Sequence, residues 1–304
     1  MDHFNYQQDI LFAEDVALSN IAEQYGTPSY VYSRATLERH AKAYTESFKS
    51  MNGLVCFSVK ALSNISILKV LKQCGCGFDI VSGGELHRAL LAGADPQKII
   101  FSGVGKSKAE MAAGIKSNIL SFNVESESEL MALEGVSKEL NAIAPVAIRF
   151  NPGVDAGGHE FTKTGRKSDK FGVSINETMR LTDKCIKSNN LNIVGLTCHI
   201  GSQISELEKF KEAAAQSLKL LLDVEKLGAE LNFIDMGGGL GVTYVDEKTV
   251  QPHELIKCYE EIFQGRPERL IVEPGRSISA NAGILLTKVE YKKNNFLITD
   301  AAMN

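Results

Sequence analysis

Three absences narrow this chain before any motif is read. None of its apolar runs is long enough to cross a bilayer, which excludes a helical membrane span. Positive charge is not in excess either: 33 Lys and Arg against 37 Asp and Glu leave a net charge of -4, so no basic field awaits nucleic acid or an anionic membrane surface. Paired metal-ligand spacing is missing too. The six cysteines (Cys56, Cys74, Cys76, Cys185, Cys198 and Cys258) are scattered, Cys74-Gly75-Cys76 is not a C-x-x-C pair, and no second pair matches it. Zinc is therefore not expected, and reduced, mostly structural thiols in a cytoplasm are. The opening residues 1–9 lack the charged and apolar regions of a secretory signal, and no nucleophile elbow supports a serine triad.

What is present has the balance of a soluble globular protein, 44% apolar and 23% charged, in 304 residues that suffice for one large or two ordinary domains. Short apolar runs at 54–59, 77–81, 98–101, 119–123, 145–150, 193–198, 232–236 and 269–272 read as strands. Helical patterns lie between them, and Ser33 is placed to cap a helix reaching about Met51. Eight alternating βα units over about 240 residues predict a closed (β/α)8 barrel. A doubly wound sheet fits less well, because the glycine cluster comes late rather than at the first βα turn. Before the barrel, 9–14 and 29–32 read as strands with a helical patch over 16–25 between them. After it, 283–291 and 296–299 read as two strands with no helix. The expected organisation is an N-terminal segment, 1–35, partly contributing to a β-domain; a barrel over 36–282; and the first strands of an incomplete C-terminal β-domain over 283–304.

In such a barrel, chemistry gathers at the C-terminal ends of the strands. Lys60 ends the first, Asp79 and then Ser82 the second, Arg149 the fifth, His199 the sixth, Gly237-Gly238-Gly239 the seventh, and Glu273 with Arg276 the eighth. A single lysine at a strand end commonly does no more than reach solvent, and a single glycine run can serve only a turn. The repetition of the layout is what points to a site. Consecutive glycines after strand seven would offer backbone N–H groups to a phosphate. A glutamate after strand eight could bond a cationic ring nitrogen, and the Arg276 fork suits phosphate or a carboxylate. A lysine, a phosphate cradle and a carboxylate for a ring nitrogen together point to pyridoxal 5′-phosphate (PLP).

The motifs Ser58-Val59-Lys60-Ala61, Phe78-Asp79-Ile80-Val81-Ser82-Gly83-Gly84-Glu85, His199-Ile200-Gly201-Ser202-Gln203, Gly237-Gly238-Gly239-Leu240-Gly241, Glu273-Pro274-Gly275-Arg276 and Asp300-Ala301-Ala302-Met303-Asn304 carry a resemblance. The chain resembles the fold type III, alanine-racemase-like PLP enzymes (the group IV decarboxylases), and within them the diaminopimelate decarboxylases. Asn151 to Asp155, His159, Thr164-Gly165 and Lys170-Phe171-Gly172 are similar to that branch's substrate loop. The resemblance implies PLP-dependent decarboxylation of meso-2,6-diaminopimelate to L-lysine and CO2, the last step of lysine biosynthesis. It implies that Lys60 carries the cofactor, that His199 stacks on its ring, and that Glu273 faces the ring nitrogen. Asp79 would lie on the lysine side, and Arg149 at the back of the pocket supporting His199. Ser202, Gly237, Gly238, Gly239, Pro274, Gly275 and Arg276 would surround the phosphate, with Arg276 also reaching a substrate carboxylate. Family members continue through a C-terminal β-domain with a cysteine–glutamate motif used across a head-to-tail homodimer; this chain has no such motif and is expected to be less soluble and less dimeric. The alternatives are an arginine- or ornithine-type decarboxylase, an amino-acid racemase (which usually carries an arginine where Glu273 stands), and a non-catalytic PLP-binding barrel.

Overall fold

The computed structural model describes residues 3–48, 51–155 and 171–302. They divide into two units, residues 1–40 with 278–304, and residues 41–277.

In the first unit, β1 (Phe4–Gln7), β2 (Ile10–Ala13) and β3 (Val16–Ala17) form an antiparallel meander. Gln8 and Asp9 both take positive φ, the two-residue hairpin turn whose twist matches that of the strands. Val16 and Ala17, expected to open the helix, pair with Ala13 and Phe12 instead, so α1 (Leu18–Tyr25) starts two residues later. β4 (Ser29–Tyr32) follows. Phe4, Ala13 and Leu18 form a small core with Leu11, Ile21, Val31, Ile284 and Leu286 packed on it. Ser33 caps α2 (Arg34–Thr45) by accepting from the Thr36 N–H at 3.1 Å. The helix ends at Thr45 rather than near Met51; just beyond it, Ser47 Oγ bonds back to the Ala43 carbonyl at 2.7 Å.

The second unit holds the barrel. Its strands are β5 (Gly53–Ser58), β6 (Gly77–Ile80), β7 (Ile99–Phe101), β8 (Ser121–Val124), β9 (Ala144–Arg149), β10 (Leu191–Thr197), β11 (Phe233–Asp235) and β12 (Arg269–Val272). Nearly every residue in them is buried, as strands covered on both faces require. Seven helices alternate with them: α3 (Ile65–Gln73), α4 (Gly83–Leu91), α5 (Lys108–Lys116), α6 (Glu127–Glu139), α7 (Ile175–Lys187), α8 (Leu207–Glu225) and α9 (Pro252–Ile262). All neighbours are parallel, and β12 returns to β5 through Leu270↔Gly53, Ile271↔Leu54 and Val272↔Val55. That seam closes the barrel and rules out the open doubly wound sheet. Leu54, Cys56, Ile100, Ala147, Val194, Phe233 and Ile271 fill its interior. Phe233 fits because β10 carries Gly195 beside it, where a Cβ would lie 2.4 Å from the ring.

Four helices start on the same sequence device. Ser82, Ser107, Ser126 and Ser174 each accept a hydrogen bond from the backbone N–H of a glutamate three residues on, namely Glu85, Glu110, Glu129 and Glu177. Three of the glutamates return the bond to the loop: Glu85 accepts from Val81 N, Glu110 from Ser107 N and Gly83 N, and Glu129 from Glu125 N. These caps fix the connections that leave the C-terminal ends of β6, β7 and β8.

After the short α10 (Arg276–Ser279), β13 (Gly283–Leu286) pairs with β4, and β14 (Val289–Lys293) pairs with β15 (Phe296–Thr299). The single strand expected over 283–291 is thus two. It breaks at Thr287 and Lys288, where Asp300 Oδ1 accepts from Thr287 Oγ1 and Lys288 N. Among the described residues no helix is long and apolar enough to cross a membrane.

Candidate functional site

Inward positions recur at every second residue of a strand, and at the C-terminal ends of these strands they change character. Cys56 gives way to Ser58, Gly77 to Asp79, Ile100 to Ser102, Ser121 to Asn123, Ala147 to Arg149, Gly195 to Thr197, Phe233 to Asp235 and Ile271 to Glu273. The apolar core is therefore topped by a ring of polar side chains. Neighbours bond around it: Ser58 Oγ donates to Asp79 Oδ2 (2.7 Å), Asn123 Nδ2 to Ser102 Oγ (3.0 Å) and Thr197 Oγ1 to Asp235 Oδ2 (3.2 Å).

Lys60 leaves β5 in a single 3-10 turn, Val59–Ala61, that carries its ammonium group back over the ring. Nζ donates to Asp79 Oδ2 at 2.9 Å and to Ser58 Oγ at 3.2 Å. Asp79 is fully buried while the lysine side chain is half exposed. Burial disfavours both charges, yet it is outweighed. The charge and hydrogen bond of Asp79 hold the Lys60 ammonium above its ordinary pKa, and Lys60 with Ser58 holds the Asp79 carboxyl below its own.

On the other side of the seam, on β12 and β11, the balance is reversed. Glu273, 8% exposed at the end of β12, sits in hydrogen-bonding contact with the fully buried Asp235 at the end of β11. Burial first, then the charges of Asp235 and Asp79, push the Glu273 carboxyl well above its usual range. Asp235 is raised to about 6 by burial, although the Glu273 side chain, the Gly237 N–H and Thr197 bond it. Glu273 Oε1 is buried with no hydrogen-bond donor among the described residues.

His199 follows β10, and its Nδ1 accepts from the Gly238 N–H at 3.2 Å. Burial, then the charges of Arg149 and Lys60, lowers its pKa to about 3, so the imidazole is neutral with its proton on Nε2. The glycine run is shaped first by its neighbours. A Cβ on Gly238 would lie 2.2 Å from the Glu273 carbonyl oxygen, and one on Gly237 2.4 Å from that of Cys198. The expectation that the run offers all of its N–H groups needs correcting: Gly237 N–H is spent on Asp235 Oδ1 (2.9 Å) and Gly238 N–H on His199. Among the described residues, the N–H groups of Gly239 and Leu240 have no protein acceptor and remain for an anion.

The other expected residues gather at the same mouth with partners of their own. Arg276 Nε donates to Ser202 Oγ (3.3 Å) and Nη1 to the Tyr244 hydroxyl (2.8 Å). The Pro274 carbonyl accepts from Ser58 N (3.1 Å), and a Cβ on Gly275 would press within 3.1 Å of Ser58 Cβ, so these two residues knit the barrel seam beneath the site. Arg149 Nη1 donates to Glu125 Oε1 at 3.1 Å, and its guanidinium lies 5.0 Å from the Phe171 ring centroid. Glu125 Oε2 also accepts from Gly172 N. Ser82, read as a strand-end candidate, is a helix cap. His159, Thr164, Gly165 and Lys170 lie outside the described residues. Asp235, Glu125, Tyr244 and Ser58 were not singled out from sequence. For Asp235 the signal was there, a carboxylate inside the buried strand Phe233-Ile234-Asp235; Glu125 and Tyr244 meet their partners only through the fold.

A family model described as pyridoxal-dependent decarboxylase, pyridoxal binding domain, matches residues 34–280. The diaminopimelate decarboxylase of Pseudomonas aeruginosa is 48% identical to the chain, over 100% of the chain and 74% of its own length. That of Haemophilus influenzae is 46% identical with the same coverage. Among solved structures, the Helicobacter pylori diaminopimelate decarboxylase in complex with L-lysine superposes with a TM-score of 0.90 at 40% identity, over 93% of this chain and 73% of its own. The donor set fits PLP on the structure's own terms: a lysine amine at the mouth and, among the described residues, a buried carboxyl oxygen without a donor and two backbone N–H groups without acceptors. By that geometry and by these likenesses, the chain belongs to the pyridoxal-dependent decarboxylases, in the diaminopimelate decarboxylase family.

Proposed function

We propose that this chain decarboxylates meso-2,6-diaminopimelate to L-lysine and CO2 with PLP carried on Lys60. The observation that carries the reading is the pairing, at one barrel mouth, of an amine held against a buried carboxylate with a buried carboxyl group lacking its partner. Identities of 46–48% to proteins named for that reaction select the substrate.

Bound PLP supplies an electron sink for the pair released when CO2 departs. The protein's residues make that sink usable. Asp79 and Ser58 hold the Lys60 nitrogen in place, and the same Asp79 can stabilise positive charge on that nitrogen once it has become bonded to carbon. Glu273, whose Oε1 is buried without a donor among the described residues, would take the ring nitrogen, where its carboxylate would keep a proton in place. Neutral His199 offers a flat surface that adds no charge of its own. The N–H groups of Gly239 and Leu240, with Ser202 Oγ, are the natural phosphate donors, and Arg276, already fixed by Ser202 and Tyr244, is placed to take a substrate carboxylate. The same reading carries with it a cytoplasmic location and, for full-length relatives, a homodimer; sedimentation velocity would test whether this chain, expected to be less dimeric, assembles.

The deciding experiment is the absorption spectrum of the chain with PLP, titrated with meso-diaminopimelate, L-arginine and L-alanine, with Lys60→Ala as control. A Lys60-dependent band that shifts with diaminopimelate alone, with L-lysine appearing, is the expected result. A response to arginine would replace the reading with an arginine decarboxylase, and a response to alanine with a racemase. A band indifferent to all three would leave a cofactor-binding barrel without this activity.

A further inference from the structure

The cofactor's ring nitrogen needs a proton. We propose that Asp235 is a positioning residue which, with Glu273, forms a buried carboxyl pair holding one proton, Asp235 keeping the charge and Glu273 the proton, so that Glu273 meets the ring nitrogen as an acid. The proposal rests on the cofactor reading above.

Its basis is geometric. The two side chains follow one another on the inward face of adjacent parallel strands, Asp235 beside Ile271 and Glu273 two residues on, and are 0% and 8% exposed. Two carboxyl groups so placed cannot both stay charged. Both Asp235 oxygens already accept, from Gly237 N–H at 2.9 Å and Thr197 Oγ1 at 3.2 Å, whereas Glu273 Oε1 accepts from nothing described. The charge therefore belongs on Asp235 and the proton on Glu273. The surrounding groups relieve the pair only weakly, Lys60 being the smallest influence on Glu273. Cys56, Cys198 and Tyr259, which face it from β5, the end of β10 and α9, are held protonated by burial. Asp79 adds negative charge, Lys60 is engaged with Asp79, Arg149 with Glu125, and His199 is neutral. On cofactor binding the Glu273 O–H bond breaks and an N–H bond forms on the ring, leaving a carboxylate against the protonated nitrogen. No other reactant is consumed.

The test counts protons. Apoprotein is titrated calorimetrically with PLP at about pH 8 in two buffers of different ionisation enthalpy, and the difference in heats gives the protons taken up per cofactor bound. With Asp235→Asn the largest like charge acting on Glu273 is gone while burial and Asp79 remain, so Glu273 is more ionised in advance and this variant should draw more protons per site from the buffer than the wild type, up to about one. Bonding of the cofactor to Lys60 contributes equally to both and cancels. Equal counts would overturn the role of Asp235. A second measurement needs no cofactor: the wild-type apoprotein should lose melting temperature from about pH 5 to 8 more steeply than Glu273→Gln, because the wild type retains on Glu273 a proton that its unfolded chain has released, beyond what Asp235 holds in both. Parallel curves would sink the one-proton pair even if Asp235→Asn failed to fold. If the wild type bound no PLP, the cofactor reading would fall with the proton transfer, and the melting curves would still decide the pair.

Discussion

The two sides of the barrel mouth treat charge in opposite ways. On the side of β5 to β9, buried charges are matched. Lys60 faces Asp79, Lys106 faces Glu129 at 2.6 Å with both side chains buried, and Arg149 faces Glu125. On the side of β11 and β12, two buried carboxyl groups face one another with no cation between them. A matched buried pair can hold a structure in register, but an unmatched one costs stability until something else arrives. The contrast separates the part of the mouth whose charges are matched within the protein, although Asp79 Oδ1 is also buried without a partner among the described residues, from the part whose charges a ligand would match.

The largest effect should come from breaking the matched side. Lys60→Ala removes the amine that the proposed chemistry needs, and turnover should fall by on the order of 10^4-fold or more, as when an enzyme's covalent nucleophile is deleted. It also leaves Asp79 without its cation. The loss of apoprotein stability should stay below the ~3–5 kcal/mol of a broken, fully buried pair, because Lys60 is half exposed and Ser58 still donates to Asp79. Urea denaturation of the apoprotein measures this; a stabilised Lys60→Ala would contradict the matched side as described.

Glu273→Gln should do the opposite to stability. The native Glu273 value lies above its reference of 4.5, so the folded apoprotein holds a proton that the unfolded chain has lost. Its contribution is complete below about pH 4.5 and disappears as pH rises through the native value, with Asp235, raised to about 6, acting in the same direction. Asp79 is lowered from 3.8 and Lys60 raised from 10.5, so their pair is lost only as pH falls through the native Asp79 value or rises through the native Lys60 value. The apoprotein should therefore be most stable in mild acid. At neutral pH Glu273→Gln should raise stability by about 1–2 kcal/mol while lowering turnover by roughly 10^2–10^3-fold. A variant that lost both would show that Glu273 is matched after all.

These contrasts were only partly legible in the sequence. The eight strands were, because burial on both faces leaves unbroken apolar runs, and each run ends where the polar ring begins. Lys60, Asp79, His199 and Glu273 stood out as the chemically capable residue at such an end. Asp235 did not, because it reads as the prelude to the glycines. The use of the Gly237 and Gly238 N–H groups was also hidden, since their acceptors are side chains whose orientation only the closed barrel sets. Ser82 misled for a related reason: a serine at a strand end is equally the first residue of a cap, and the Ser-x-x-Glu spacing that decides between the two caps four helices here.

A smaller effect is expected where the mouth meets the cofactor through one neutral hydroxyl. Ser202→Ala removes a group bonded to Arg276 Nε and free to reach an anion. PLP affinity, read by equilibrium dialysis, should weaken roughly 5–10-fold, the equivalent of about 1 kcal/mol for one hydrogen bond. Apoprotein stability should move by less than about 0.5 kcal/mol. A large loss of stability would move Ser202 from the ligand's side of the comparison to the protein's.

The smallest functional effect belongs to the caps on the matched side. Ser107 Oγ accepts from Glu110 N and donates to Glu110 Oε2, which in turn accepts from Ser107 N, while Glu110 Oε1 reaches Gly83 N at the start of α4. Ser107→Ala opens the first turn of α5 and loosens that link, which should cost about 1 kcal/mol of stability. Ser107→Asp should restore part of it, since a carboxylate can accept the same N–H and suits a helix N-terminus, although Glu110 nearby limits the gain. Because the charges of the β5–β9 side are matched without ligand, the cap's loss should be felt as stability alone, with kcat/KM staying within about twofold at temperatures well below melting. A tenfold fall in kcat/KM without a fall in stability would mean that the caps position the chemistry directly, and the division between the two sides of the mouth would not hold.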